Sequence, residues 1–232
     1  MYMESLAVRT APVPMPGLCA GTGAERALDM EALMRGLPMQ RRRLKARQYL
    51  FLHGQPRHSL YLIHAGCFKT SITSSDGREK ITGFRMRGDL LGIEALDMPT
   101  HACDALALDA GEVWEVPMEE LRAPDFQERL TRLLAAEIRR DWGWMLALGS
   151  LSAEQRVGTF LLDFGARLGS LGFDASHLKL HMTRAELGNF LSLQLETIAR
   201  VLSRMQARGL IEVNRSRIVI RDAAGLRSLV AC

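Results

Sequence analysis

Glu196 and Arg200 stand four residues apart, so on a helix they lie one turn apart on the same face. A carboxylate can accept a hydrogen bond from the amino group of cytosine, and a guanidinium can donate two bonds to guanine O6 and N7. Together the two side chains could read the edges of DNA bases. The alternative is that both charges are merely solvated on the surface of an ordinary helical hairpin.

Residues 183–206 have the pattern of two short helices that meet at a tight corner. Thr183 and Glu186 form a capping box, which fixes the start of the first helix. Ser192 lies at the corner, where its hydroxyl is expected to cap the second helix. The apolar positions recur at helical spacing: Leu187, Phe190 and Leu191, then Ile198, Val201, Leu202 and Met205. The polar positions left on the outer face of the second helix are Gln194, Glu196, Thr197, Arg200, Ser203 and Arg204. The segment is predicted to be a helix-turn-helix.

The segment after Gly209 is predicted to form a β-hairpin. Apolar residues alternate with polar ones on both sides of an Asn214-Arg215-Ser216 turn. Arg215 and Arg217 make the tip basic, as in a wing that contacts phosphates beside a recognition helix. From residue 150 onward the chain has 11 Lys and Arg against 7 Asp and Glu, a surplus equal to the net charge of +4 for the whole chain. This balance favours phosphate binding.

The middle of the chain is punctuated by glycines at positions 54, 66, 77, 88 and 92. Short apolar or β-branched stretches lie before, between and after these glycines, at 49–52, 60–64, 68–73, 81–85 and 112–116. Ser75-Asp76-Gly77 is typical of a hairpin turn. This spacing predicts an antiparallel β-roll. A β-helix repeat is the alternative, but the similarity is confined to the glycines and ends at Gly92.

A long helix is predicted over about 125–148. Its residues Leu134, Ile138, Asp141, Met145 and Leu148 step by 4, 3, 4 and 3 and form a heptad seam. Leu130 and Leu133 lie to one side, where they can face the roll, and Trp142 and Trp144 are expected to pack against the roll or the C-terminal part. The helix either covers its own domain or joins two protomers, and in a dimer Asp141 would face its symmetry mate and weaken association.

Composition excludes several classes of protein. No run of 18 apolar residues exists, so no transmembrane helix is expected. Residues 1–24 read as a flexible leader rather than a secretory signal, and a cytoplasmic location is predicted. The chain shows no glycine-rich phosphate loop, nucleophile elbow or HExxH motif, so we predict that it is not an enzyme. Its cysteines, expected to be reduced thiols, are Cys19, Cys67, Cys103 and Cys232.

The order of these elements resembles the CRP/FNR family of bacterial transcription regulators, over about residues 25–230. The motifs that carry the resemblance are Lys80-Ile-Thr-Gly-Phe84, Gly88-Asp-Leu-Leu-Gly92, Glu137-Ile138 with Asp141, Thr183-Arg184 and Leu195-Glu-Thr-Ile-Ala-Arg200. They are most similar to the FNR branch. The expected fold is α+β: a leader (1–24), an antiparallel β-roll of the cyclic-nucleotide-binding type (25–124), a dimerisation helix (125–149) and a C-terminal winged helix-turn-helix (150–232).

The resemblance implies a homodimer on a palindromic operator with TTGA-like half-sites, in which Glu196 and Arg200 read bases. FNR-type proteins usually carry Ser where this chain has Ala199, which puts the outer bases in doubt. The cyclic-AMP branch carries Arg where this chain has Leu195, so its operator is not expected. The full set of candidate DNA contacts is Thr183, Arg184, Gln194, Glu196, Thr197, Ala199, Arg200, Arg204, Arg215 and Arg217.

No cofactor is predicted, although a response to oxygen or redox state fits the resemblance. Cyclic-nucleotide binders of the family carry an arginine that clamps the phosphate, whereas the matching segment here, residues 101–105, has none and contains Asp104. Oxygen sensors of the FNR branch hold an iron–sulfur cluster on closely spaced N-terminal cysteines and one in the roll. This chain has only Cys19 near its N-terminus, and Trp114 where the roll cysteine is expected. The roll histidines lack the i, i+4 spacing of a helical metal site, so a haem or metal role is not expected either: His53, His58, His64 and His101.

The resemblance also implies RNA polymerase as a partner, contacted by exposed roll loops such as residues 74–78. The alternative function is a β-roll sensor or protein-interaction module whose winged helix binds DNA weakly or without specificity. A salt-sensitive affinity for duplex DNA discriminates the two.

Overall fold

The computed structural model describes residues 38–122 and 124–231, so the leader predicted for residues 1–24 lies outside it. Residues 38–122 contain eight strands: β1 (Gln40–Leu44), β2 (Tyr49–Phe51), β3 (Ser59–Ala65), β4 (Cys67–Thr73), β5 (Glu79–Met86), β6 (Leu90–Leu91), β7 (Asp104–Ala107) and β8 (Gly111–Pro117). They form two antiparallel four-stranded sheets, in the orders β1-β8-β3-β6 and β2-β7-β4-β5. The predicted β-roll is confirmed.

The two sheets face each other across a core that includes Phe51, Ile63, Phe68, Ala105 and Val113. All five stretches predicted as strands are strands, within two residues at each end. Three further strands, β1, β6 and β7, were not predicted. β1 has four polar residues before its single buried Leu44, and β6 has only two residues, so neither shows the alternation that identifies a strand.

The glycines that punctuate the sequence occupy the turns between strands, and all five have positive φ: Gly54, Gly66, Gly77, Gly88 and Gly92. Gly66 joins β3 to β4, and a Cβ there would lie 2.7 Å from the Cα of Gly111. Only glycine fits this close approach of two chain segments without displacing the backbone.

Helix α1 (Pro124–Ser150) contains the predicted long helix. Near its start, Phe126 and Leu130 pack on the outer face of the β3-β8 sheet, against Leu60, Leu62 and Val116. The prediction that Leu130 faces the roll is therefore confirmed. Towards the other end the side chain of Trp144 is buried against Phe160 and Phe190, whereas Trp142 is 61% exposed. The prediction that both tryptophans pack inward is wrong for Trp142.

The C-terminal part has four helices and a small sheet: α2 (Ala153–Ser170), α3 (Arg184–Leu191), α4 (Leu195–Ala207), α5 (Ala223–Ala231), β9 (His177–Lys179), β10 (Ile211–Asn214) and β11 (Arg217–Ile220). The sheet order is β10-β11-β9, and all neighbours are antiparallel. The predicted winged helix-turn-helix and the α+β fold class are confirmed. Three elements of this part were not predicted: α2, β9 and α5. A Ser152-Gln155 capping box marks the start of α2, but β9 buries only Leu178.

The roll and the C-terminal part share one apolar core. Ile81, Phe84 and Met86 of β5 pack in the same cluster as Phe160 of α2 and Phe190 of α3. Phe84 meets Phe190 edge-on, with ring centroids 5.3 Å apart. The helix-turn-helix is thus held directly against β5 of the roll. None of the described helices is long and apolar enough to cross a membrane.

Candidate nucleic-acid interface

The first helix of the helix-turn-helix, α3, begins as the sequence predicts. The Thr183 hydroxyl accepts a hydrogen bond from the Glu186 amide at 3.1 Å, and Glu186 Oε2 accepts from the Thr183 amide at 2.8 Å. Thr183 is therefore occupied in capping, and its hydroxyl also donates to Glu186 Oε2 at 3.0 Å. The capping box is confirmed.

The corner between α3 and α4 is built differently from the prediction. Ser192 ends α3 with φ 55°, and Gln194 begins α4 without a side-chain cap. The Ser192 hydroxyl instead accepts a hydrogen bond from Lys80 Nζ at 2.8 Å, so the prediction that it caps the second helix is wrong. The corner is tight because a Cβ at Gly188 would lie 2.6 Å from the carbonyl oxygen of Leu193. The Leu193 amide donates to the Gly188 carbonyl at 2.8 Å.

Helix α4 buries Ile198, Val201, Leu202 and Met205 and turns its polar side to solvent. The candidate DNA contacts on this side are exposed, except the half-buried Thr197: Gln194, Glu196, Thr197, Ala199, Arg200 and Arg204. Within the described part of the chain, no ion pair involves Glu196 or Arg200. A surface pair between these two residues would support a merely solvated hairpin, and it is not formed. Arg200 Nη2 makes only a long contact of 3.4 Å with the Thr197 hydroxyl.

Arg204 differs from Arg200 because a neighbouring helix offers it a partner. Glu154 of α2 lies 3.9 Å from Arg204 Nη1 and 2.9 Å from Arg208 Nη1. Of the candidate arginines on α4, Arg200 is therefore the better placed for a base.

The wing is the β10-β11 hairpin, in which Asn214 pairs with Arg217. Arg215 and Arg217 are exposed at its tip, and Arg215 has φ 53°. Arg184 of α3 donates from Nη2 to the Arg215 carbonyl at 2.9 Å, and burial lowers the pKa of its guanidinium. Arg184, a candidate DNA contact, thus ties the wing to the helix-turn-helix. Glu196 and Arg200 on α4 and Arg215 and Arg217 on the wing are all exposed to solvent.

The opposite side of the helix-turn-helix is attached to β5 of the roll. Lys80 Nζ donates to the carbonyls of Asn189 at 2.6 Å and Phe190 at 3.1 Å, which are acceptors at the C-terminal end of α3. The Asn189 amide accepts from the Ile81 N–H and donates to the Glu79 carbonyl, both at 2.8 Å. Asn189 therefore extends the hydrogen bonding of the edge strand β5 to a helix 110 residues away along the chain.

A second set of charges fixes α2 against the roll. Arg167 pairs with Asp89 and donates from Nη1 to the Phe84 carbonyl at 3.0 Å. Arg140 of α1 lies 3.7 Å from Asp163 of α2. These contacts join the roll, α1 and α2 in one partly buried network.

The predicted dimer seam lies along one side of α1. Ile138 is 49% and Met145 66% exposed, Asp141 is exposed, and Leu134 and Leu148 are half-buried. The side chains of Trp142 and Leu146, which the heptad spacing does not include, are also exposed beside the seam. The outer face of the second half of α1 is thus an apolar surface with one carboxylate.

A cavity of about 660 Å³ opens between the β4-β5 sheet and the seam side of α1. The cations lining it are already engaged: Arg85 pairs with Glu137, and Lys80 binds α3. Glu94 and Asp141 add further carboxylates to the lining. These residues do not fit the phosphate of a cyclic nucleotide, which requires an available cation. Asp104, expected to repel a phosphate here, does not line the cavity and accepts from the His53 amide at 2.7 Å.

The two described cysteines do not fit an iron–sulfur cluster, whose ligands are thiolates. Cys67 and Cys103 are both buried, and burial raises the pKa of the Cys67 thiol to about 12 and that of Cys103 above its usual value. Cys19 and Cys232 lie outside the described residues.

Two histidines of the roll stack on aromatic rings, and the buried Nδ1 of one of them, His64, has no hydrogen-bond partner among the described residues. His101 is buried, stacks on Phe51 with ring centroids 3.7 Å apart, and lies 3.2 Å from Glu94. His64 stacks on Trp114 at 4.7 Å. Over residues 38–122 and 124–231, no three His, Cys, Asp or Glu side chains are grouped as a metal site requires.

Models of known protein families match both the roll and the C-terminal part of the chain. The model of the Crp-like helix-turn-helix domain matches residues 155–229, and that of the cyclic nucleotide-binding domain matches residues 41–123. The chain is 36% identical over 204 residues to the transcriptional activator protein anr of Pseudomonas aeruginosa, with 86% of this chain and 82% of the relative covered. It is 35% identical over 187 residues to the fumarate and nitrate reduction regulatory protein of Salmonella typhimurium, with 78% and 75% covered.

The solved structure of FixK2 from Bradyrhizobium japonicum superposes with a TM-score of 0.77 at 29% identity, over 84% of this chain and 99% of that one. A CRP-family regulator from Thermus thermophilus, 20% identical with a TM-score of 0.70 over 82% of this chain and 97% of that one, shares the fold. The similarity therefore extends through the roll, the long helix and the winged helix.

Proposed function

Since this chain belongs to the CRP/FNR family of DNA-binding transcription regulators, we propose that it acts as a homodimer on a palindromic operator with TTGA-like half-sites. Glu196 and Arg200 read bases, and Arg215 and Arg217 bind phosphates. The observation that carries this proposal is that Glu196 and Arg200 stand exposed on one face of α4 without ion partners among the described residues.

The homodimer forms through the seam of α1. Ile138 and Met145 expose apolar surface that a second copy of the helix would cover, and a two-fold symmetric protein matches a palindromic site. Trp142 widens this surface on one side. Asp141 lies at the centre, so the two protomers bring like charges together and the dimer is held only moderately tightly.

Relatives named transcriptional activators support an activating role. The proposed place of action is the cytoplasm. RNA polymerase is contacted through the exposed turn of residues 74–78 between β4 and β5. Relatives named anaerobic regulatory proteins support a signal linked to oxygen or redox state. The cations of the cavity beside α1 are engaged and both described cysteines are buried, which supports a regulator without a cyclic nucleotide or an iron–sulfur cluster. A haem is not part of the proposal, and membership of a family of transcription regulators supports a role other than catalysis.

The test is a binding titration of the full chain with a duplex that carries two inverted TTGA half-sites one helical turn apart. Sedimentation of the complex should give two chains for each duplex, and a footprint should cover both half-sites. A duplex with one scrambled half-site is the control and should bind far more weakly. One chain for each duplex, or equal affinity for the two duplexes, would contradict the proposal.

The absence of a cofactor is tested by the ultraviolet–visible spectrum of protein purified without oxygen. We expect only the aromatic band of the polypeptide. Absorption of a haem or of an iron–sulfur cluster would overturn this part of the proposal while leaving the DNA-binding part intact.

A further inference from the structure

A second cavity, of about 440 Å³, lies between the roll and the DNA-binding domain. One wall belongs to the roll and includes His64, Met86, Arg87 and Asp109. The other wall comes from α2, the turn that follows it and the region of β9. Small-molecule sites have volumes of about 300–1,000 Å³ and occur preferentially where domains meet. The size of this cavity and its position between two domains are thus typical of a small-molecule site. None of the candidate DNA contacts lines it.

The polar lining of this cavity is mainly basic. Arg87 and Lys179 line it together with the imidazoles of His64, His177 and His181. Its carboxylate, Asp109, is already engaged: Oδ1 accepts from the Cys67 amide at 2.7 Å, and Oδ2 lies 3.0 Å from His181 Nδ1. His177 is engaged as well, since its Nδ1 lies 2.7 Å from Asp174 Oδ2, and burial lowers the pKa of His181. Within residues 38–122 and 124–231 no ion pair involves Lys179, so this lysine is the cation available to an anion.

The rest of the lining is apolar and partly aromatic. Phe164, Leu168 and Leu171 form the wall on α2, and Phe173 stands 60% exposed. The backbone of Phe173 is fixed, because its amide donates to the Leu168 carbonyl at 3.0 Å and Gly172 before it has φ 84°. A large aromatic side chain held at the cavity with most of its surface in water gains stabilisation when an apolar body covers it.

We propose that this cavity binds an amphipathic organic anion with a flat aromatic body and one carboxylate or sulfonate group. The aromatic body lies between Phe164 and Phe173, and the anionic group lies at Lys179. Because the two walls belong to different domains, the bound anion contacts the roll and the DNA-binding domain at once.

The proposal is tested with 8-anilinonaphthalene-1-sulfonate and with its uncharged parent, N-phenyl-1-naphthylamine, in fluorescence titrations of the full chain. Lys179→Met should weaken the sulfonate about threefold to fivefold and change the affinity of the neutral probe less than about twofold. Phe173→Ala should weaken both probes. Lys45→Met, the same change at an exposed lysine outside the cavity, is the matched control and should alter neither.

The position of the probe is read from methionine methyl resonances. The sulfonate should shift the methyl group of Met86, which lines the cavity, and not that of Met145 on the seam. Unchanged sulfonate affinity in Lys179→Met, or a shift of Met145 without Met86, would overturn the proposal. Lys179 and Phe173 are exposed, so both variants should fold, and unchanged thermal unfolding verifies this. If Lys179→Met does not fold, Lys179→Gln replaces it.

Discussion

The DNA-binding domain has two polar sides, and their charges differ in whether the protein itself supplies partners. On the side facing the roll, Arg167 binds Asp89, and Glu186 lies 2.7 Å from Arg47 and 3.5 Å from Lys69. On the outer side, Glu196, Arg200, Arg215 and Arg217 have no ion partner within residues 38–122 and 124–231. Charges that are paired internally hold the domain in place, whereas unpaired exposed charges remain available to phosphates and base edges.

The two sides should therefore respond differently to the loss of an arginine. Removing a partner from a largely buried ion pair leaves an uncompensated charge and destabilises the fold. Removing an exposed, unpaired arginine changes stability little and affects DNA binding instead. The predictions below test this difference, beginning with the largest expected effect.

Arg167→Met should lower the free energy of unfolding by about 3 kcal/mol, because it leaves the Asp89 carboxylate and the Phe84 carbonyl without their guanidinium partner. Urea unfolding followed by circular dichroism measures this loss. Arg217→Met on the wing is the matched control and should stay within about 0.5 kcal/mol of the parent. Equal stability of the two variants would show that the roll-facing pair does not hold the domain.

The stability that the Arg167–Asp89 pair gives to the fold should decrease as the pH is lowered. Burial raises the pKa of Asp89, but the guanidinium groups of Arg167, Arg140 and Arg85 lower it more, so the net pKa lies below its usual value. A lowered carboxylate pKa stabilises the fold above the unfolded value of about 3.9, and the stabilisation is lost as pH falls through the folded pKa. The stability that the pair gives to the parent should be full at pH 7 and decline below about pH 4.

Arg200→Ala should cost about 1–3 kcal/mol of binding free energy for each half-site and flatten the preference at one base pair. The physical reason is the loss of a bidentate contact to guanine. Titrations against a series of single base substitutions in the operator measure both effects. Arg208→Ala removes an arginine that already binds Glu154, and it should retain the parental ranking of operators. The same ranking in Arg200→Ala would show that this residue does not read a base.

Local patterns were enough to predict the two helices and the hairpin that carry the candidate DNA contacts, because these features depend on residues within a single helix or hairpin. The capping box at Thr183, the apolar face of α4 and the Asn214-Arg215-Ser216 turn all depend on residues a few positions apart. The attachment of α3 to the roll could not be predicted in this way. Lys80 and Asn189 are 109 residues apart, and neither residue type signals the other.

The two errors on the helices have geometric reasons. Trp142 and Trp144 are two residues apart, so on a helix they point about 200° apart and cannot both face the same neighbour. Trp144 is buried, and Trp142 is left beside the seam. Ser192 has the hydroxyl of a helix cap but adopts φ 55°, because the chain reverses there at the end of α3. The residue type favours capping, but the backbone conformation at Ser192 places it at the end of α3 and not at the start of α4.

Asp141→Ala should strengthen dimerisation by about 1 kcal/mol and raise operator affinity, because it removes a like-charge pair from the seam. Sedimentation equilibrium measures the dimer constant. Glu128→Ala removes a carboxylate from the same helix about 20 Å away and should leave that constant unchanged. Salt screens the repulsion between the two carboxylates, so the gain should be larger at low ionic strength. An unchanged dimer constant would show that Asp141 does not face its symmetry mate.

Of the four substitutions predicted here, Arg215→Ala should change the measured free energy least, because salt screens a single exposed phosphate contact. The variant should bind every duplex more weakly by a similar factor, and the slope of log affinity against log salt should fall by about one unit for each protomer. The main chain of the wing should be unaffected, because Arg184 binds the carbonyl of residue 215 and not its side chain. Arg227→Ala on α5 removes an exposed arginine outside the recognition surface and should leave the slope unchanged. If Arg215→Ala altered the ranking of operators instead, the wing would read sequence, and the division of roles between α4 and the wing would be wrong.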